Sequence, residues 1–183
     1  MAIIFELVVN FGRDEAAVAA ATDELDRHPT VEVRGVRLPL TPPYVTTLHL
    51  SEALSYIEFS VNPRGISAPC RGPNPPFKAQ ELSNDELTSV GDQLYERLRR
   101  FHGYEAALVG WDPESLVDVG WLESDYVPDR SLSRVEGLVL SERLIESWGQ
   151  PEGFAPFEPG FSWIPYRGTR NILRSSVGPP LDA

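Results

Sequence analysis

The sequence predicts an α+β domain with a mostly antiparallel sheet and helices packed on one face. Three observations lead there. The element order reads β-α-β-β-β-α-β followed by a mixed tail, without the regular alternation of a doubly wound parallel sheet. Tyr44–Leu50 and Leu54–Val61 are separated only by Ser51–Ala53, a connection that suits an antiparallel hairpin and is too short for a parallel crossover. The 183 residues suit one globular domain spanning 1–183, which can bury roughly 70% of its surface without disulfide or metal staples.

Each element has its own local cause. Ala2–Phe11 reads as a strand: Ile3, Phe5, Leu7, Val9 and Phe11 share one face, while Ile4 and Val8 share the other with Glu6 and Asn10. A strand apolar on nearly both faces belongs in the middle of its sheet. Asp14–Arg27 is an alanine-rich helix with acids in its first turn, stopped by Pro29. In Val31–Leu40 the apolar parity flips at Gly35, which predicts a bulge, with Pro39 at an edge or strand end.

Asn62–Gln80 is a long Pro-rich loop. Ser83–His102 is the clearest helix, with a Ser83/Glu86 capping box and an apolar stripe of Leu87, Val90, Leu94, Leu98 and Phe101. Ala106–Gly110 and Val135–Leu140 read as strands, Ser141–Trp148 as a short helix capped by Ser141, and Phe161–Tyr166 as the last strand. Residues 175–183 read as a frayed tail.

Charge narrows the function. Twenty-seven acids against sixteen Lys and Arg give a net charge of −11. Nucleic-acid backbones and anionic membrane surfaces need clustered bases, so neither is an expected partner. Residues 81–158 hold seventeen of the acids and only six bases. This central stretch is either a solvated acidic surface or a face for a basic partner. The single cysteine, Cys70, suits a reducing cytoplasm, and Met1–Asn10 lacks the basic start of a signal peptide.

Catalytic patterns are thin. His28, His49 and His102 lie far apart with no metal-ligand spacing, and the acids after Trp111 follow no calcium-loop pattern, so no metal or cofactor is expected. Cys70 beside Arg71 could become a nucleophile only if the fold brought His49 or His102 to it. No nucleophile elbow or phosphate-binding glycine loop occurs, so no catalytic residue is assigned.

The tryptophans carry more information. Trp111 and Trp121 stand among Asp112, Glu114, Asp118, Glu123 and Asp125. Core packing explains tryptophans in general. Aromatic anchors ringed by acids also describe a surface for a basic protein, and these seven residues form the expected partner-binding set.

Ala106–Glu114 (AALVGWDPE), Gly137–Leu144 (GLVLSERL) and Phe161–Gly168 (FSWIPYRG) are similar in cadence to immunity proteins of bacterial polymorphic toxin systems. The resemblance covers the C-terminal half and carries no functional residue with it. It implies a non-catalytic cytoplasmic inhibitor that neutralises a cognate toxin by direct binding. The alternative expectation is a small enzyme or small-molecule-binding module with a pocket near the 62–80 loop.

Overall fold

The computed structural model describes residues 4–49, 55–66 and 82–166. It is an α+β fold built on a seven-stranded antiparallel sheet in the order β4-β5-β1-β6-β7-β9-β8, with a separate β2-β3 hairpin. The strands are β1 (Phe5–Asn10), β2 (Thr30–Val33), β3 (Val36–Pro39), β4 (Tyr44–His49), β5 (Ser55–Val61), β6 (Ala106–Trp111), β7 (Val139–Ser141), β8 (Ala155–Glu158) and β9 (Phe161–Trp163). The helices are α1 (Glu15–Arg27), α2 (Asn84–Leu98), α3 (Val119–Trp121) and α4 (Glu142–Ser147).

β1 lies between β5 and β6 and is buried along its whole length, as its two-sided apolar pattern requires. Phe5, Leu7 and Val9, with Phe11 just beyond, enter the larger core beneath α1, α2 and the β2-β3 hairpin. Val8 enters a second core on the opposite face, with Ala106, Leu108, Val117, Leu122, Leu132, Leu138 and Leu140. The two long helices therefore share one face. The other is covered by short turns, Glu114–Val117, α3 and Leu122–Tyr126, and by α4.

α2 begins at Ser83 with both bonds of the capping box, and its predicted stripe of Leu87, Val90, Leu94, Leu98 and Phe101 is buried. Polar side chains fix its position. The Gln93 amide accepts from the Glu32 backbone N–H and donates to the Glu32 carbonyl, both at 2.7 Å, as a neighbouring strand would. The Tyr95 hydroxyl donates to the Gly137 carbonyl at 2.8 Å and accepts from the Val109 N–H at 3.2 Å. A Cβ at Gly137 would stand 2.4 Å from that hydroxyl, and its φ of +87° suits glycine. At the far margin of the sheet, the Arg99 guanidinium lies 4.2 Å above the Phe157 ring and pairs with Glu158.

Four local readings change, one of them the Val135–Leu140 strand, of which only Val139 and Leu140 pair in the sheet while the chain before them turns after Leu132–Arg134. The parity flip at Gly35 is a two-residue hairpin turn and not a bulge: Arg34 and Gly35 both have positive φ, and Val31 pairs with Leu38. Such a turn pairs odd with even positions, so it reverses parity as a bulge would. Ser141 occupies the N-cap of α4, but its hydroxyl donates to Glu105 instead of capping the helix. β8 has no counterpart in the sequence reading, because Ala155–Glu158 pairs with β9 through a bulge and contains Pro156. Most of the Pro-rich loop, with Cys70, and the 175–183 tail lie outside the described residues. Among the described residues no helix is long and apolar enough to cross a membrane.

Leu94 sits fully buried at the centre of the α2 stripe. Leu94→Ala is expected to cost about 2–5 kcal/mol by leaving a cavity. Denaturant melts measure this, and a loss below about 1 kcal/mol would place that helix face in water.

Candidate carboxylate site

The even-numbered face of β1 and β5 carries polar groups where a core would carry aliphatic ones. Glu6 is 3% exposed, Asn10 2%, Tyr56 8% and Glu58 7%. Register places them on one side of the sheet: Glu58 opposes Asn10, and Ser60 opposes Val8. The turns after β6 fold back over them and bring Asp112, Glu114 and Asp118 to the same place. Glu6, Asp112 and Glu114 each present a carboxylate oxygen, and these oxygens lie within 4.8 Å of one another.

Asn10 is satisfied. Its amide donates to the Val117 carbonyl at 2.8 Å, and its side-chain oxygen accepts from the Gly12 N–H at 2.8 Å. Asp112 also ties the covering segment to the sheet: its Oδ1 accepts from the Ile4 N–H at 2.7 Å, and its own N–H donates to the Ile4 carbonyl at 2.9 Å. The Ser60 hydroxyl near Glu6 and the Tyr56 hydroxyl near Glu58 favour the charged carboxylates. Glu58 Oε2 has no hydrogen-bond partner among the described residues. None of Glu6, Glu58, Asp112, Glu114 and Asp118 forms an ion pair with a base among the described residues.

Burial without a counter-charge sets the acidity. Glu6 is pushed up from 4.5 to about 7, first by burial and then by the Glu114 carboxylate, with Glu58 and Asp112 adding to the effect and the Ser60 hydroxyl opposing it. Glu58 is raised too, by burial and then by Glu114. Tyr56 is raised by burial and by Glu58. Beside this cluster lies an open cleft of about 200 Å³, whose lining includes Asn10, Tyr56, Glu105, Asp118, Glu123 and Arg143. Arg143 is held by Glu105.

The seven residues singled out by sequence do not all share one surface. Trp111 is 8% exposed and packs edge-on against Phe5 at 5.3 Å, so its ring belongs to the core and not to an exposed anchor. It ends β6 on the face of the larger core. Trp121 is half-buried, edge-on to Tyr126 at 5.3 Å. Asp112, Glu123 and Asp125 are exposed, and Glu114 and Asp118 are half-buried. Asp118 also caps α3 by accepting from the Trp121 N–H at 3.0 Å.

Sequence reasoning missed Glu6, Tyr56 and Glu58 as site residues. The usable signal was a carboxylate inside an otherwise apolar central strand, since buried acids are rare without a partner. It also missed Tyr44, at 67% the most exposed large aromatic among the described residues. Tyr44 opposes Ser60 in the β4-β5 ladder and so stands on the face that holds the acids.

Fold and site together define an α+β protein with a carboxylate-lined sheet face. Compared with protein-family models, curated proteins and solved structures, the chain matches none.

The raised acidity of Glu6 predicts a pH dependence. A carboxyl with a folded pKa above its unfolded value holds its proton more tightly when folded. Its contribution to stability is full below about pH 4.5 and is lost as pH rises towards 7. Urea melts across this window should show Glu6→Gln gaining on the wild type as pH rises. A constant difference between the two at every pH would refute the assignment.

Proposed function

We propose that this chain is a non-catalytic acidic binding protein whose carboxylate-bearing face takes a basic protein partner. The observation that carries the reading is the covering segment itself. Asp112, Glu114, Asp118, Glu123 and Asp125 lie within one stretch over the sheet, and none of them forms an ion pair with a base among the described residues. Unneutralised charge of one sign steers a partner of the other sign and raises its association rate. The neighbouring cleft is small and open, and among the described residues its lining has neither His nor Cys, which supports a docking face over a catalytic pocket. Trp121 and Tyr44 are the aromatic anchors on this reading, since Trp111 is core. The similarity in cadence to immunity proteins supports a narrower form, in which the partner is a cognate toxin neutralised by direct binding.

The test is capture of the partner from the native host, followed by association kinetics at low and physiological salt. Association should slow as salt rises. Neutralising Glu114, Glu123 and Asp125 together should lower the association rate while leaving the fold intact. Asp112 and Asp118 are left unchanged because they bond the backbone. Trp121→Ala or Tyr44→Ala should speed dissociation, by about 2 kcal/mol if the ring is a true anchor. A partner that is itself acidic, or binding untouched by all of these folded variants, refutes the proposal. For the toxin form, the partner must be harmful when expressed alone and harmless with the wild-type chain.

A further inference from the structure

We infer that β4 is an interface between two copies of this chain: it pairs antiparallel with β4 of a second copy, with Thr46 on the two-fold axis. The inference does not rest on the basic-partner reading.

The two ends of the sheet are treated differently. Among the described residues β8 closes one end and β4 the other. An open edge offers unpaired N–H and C=O groups to any other strand, and proteins blunt it with proline, bulges or charge. β8 has all three: Pro156, a bulge between Pro156 and Glu158, and the Glu158–Arg99 pair. β4 has no proline and no Asp, Glu, Lys or Arg, and it runs in unbroken register against β5 from Tyr44 to His49. It is also apolar where it meets water. The large hydrophobic side chains exposed among the described residues are Val36 on β3 and Tyr44 and Val45 on β4. Such residues scattered singly need no explanation, but these gather on two successive strands.

Charge and register select a second copy as the occupant. The chain carries −11 overall, so two copies repel wherever their acids meet. Residues 30–49, from β2 to β4, hold Arg34 and Arg37 against Glu32 alone, so this edge is free of the acidic excess. β4 itself offers a basic peptide no carboxylate. A two-fold axis perpendicular to the sheet keeps each face on its own side, so even positions must meet even ones. With Thr46 on the axis, Tyr44 of one copy opposes Leu48 of the other, and Val45 opposes Thr47. Aromatic–aliphatic and β-branched pairs of this kind stabilise a sheet. The acidic faces of both copies then lie on one side. Glu58 opposes Thr46 within each copy, so the two Glu58 residues stand three strand spacings apart, about 14 Å, beyond the screening length of about 8 Å. Pairing from Tyr44 to Leu48 spans about 17 Å and covers less than the roughly 800 Å² per partner of a standard interface, so the dimer is weak and forms at high concentration.

The test is sedimentation of the purified full chain over a range of concentrations, at low and high sodium chloride. The expected result is a reversible monomer–dimer equilibrium with a dissociation constant of about 10⁻⁶–10⁻⁴ M, as a small edge contact gives. Salt screens the repulsion between two acidic chains, so the dimer should tighten as salt rises, whereas docking of a basic partner weakens. Thr46→Lys places like charges across the axis and should weaken the dimer at least about tenfold. Within its own copy that lysine stands opposite Glu58, so the fold should hold, which circular dichroism checks. Ala155→Lys on β8 should leave the dimer unchanged. In a Cys70→Ser background, Thr46→Cys should form a covalent dimer on mild oxidation, because opposed residues of an antiparallel pair stand about 4.5–5.5 Å apart at Cα, within disulfide reach. Thr47→Cys should not, since its two copies sit diagonally at about 7–8 Å. The cysteine pair decides the matter if Thr46→Lys does not fold. The inference is overturned if the wild type stays monomeric up to about 1 mM. It is overturned equally if the dimer withstands Thr46→Lys as well as Ala155→Lys, if it weakens as salt rises, or if Thr47→Cys crosslinks and Thr46→Cys does not. A monomer that binds a basic protein refutes this inference alone, and a dimer that binds none refutes only the earlier proposal.

Discussion

The structure turns on β1, a central strand buried on both faces that nevertheless carries a carboxylate. Its odd positions are aliphatic and aromatic and supply the larger core. Its even positions run Glu6, Val8, Asn10, and only Val8 behaves as a core residue should. Taking a carboxylate out of water is costly unless it is paired or protonated. The chain covers Glu6 with the turn that carries Asp112 and Glu114, so two more carboxylates stand against a buried one, and its acidity falls accordingly.

The two faces of the sheet are held by different means. On one, α2 presents a continuous apolar stripe and is steered by Gln93 and Tyr95. On the other, the covering segment has only short turns, so its position depends on separate contacts. Val117 and Leu122 supply the apolar ones. Asn10 and Ile4 supply polar ones, by bonding Val117 and Asp112. The polar residues of the central strand therefore seat the segment that displays the acidic surface. The acids that tie this segment down are also among those that give the surface its charge, Asp112 by bonding Ile4 and Asp118 by capping α3.

Much of the scaffold was legible because its signals are local. The capping box at Ser83 and Glu86 lies within one helical turn, and the stripe of α2 repeats at helical spacing. The two-sided apolar pattern of β1 placed it at the centre of the sheet, where it is found. The short connection between β4 and β5 favoured an antiparallel pair, and they form one. Where two structures share one pattern, local reading failed: the alternation around Gly35 fits a bulge and a two-residue turn equally, and only the pairing of Val31 with Leu38 separates them.

The sequence by itself determined the class of fold, the position of β1, the register of α2 and the concentration of acid in the central stretch. Tertiary structure decided which acids meet. Ile4 and Asp112 are 108 positions apart, yet the β1-β6 ladder sets Phe5 opposite Trp111 and so brings Glu6 to the turn that follows. The same ladder turned Trp111 into the core while Asp112, its neighbour, stayed exposed. Alternate residues of a strand face opposite sides, but nothing local says which side will be covered, or by what. That depends on strand order, and strand order is set by pairing between segments far apart in the chain.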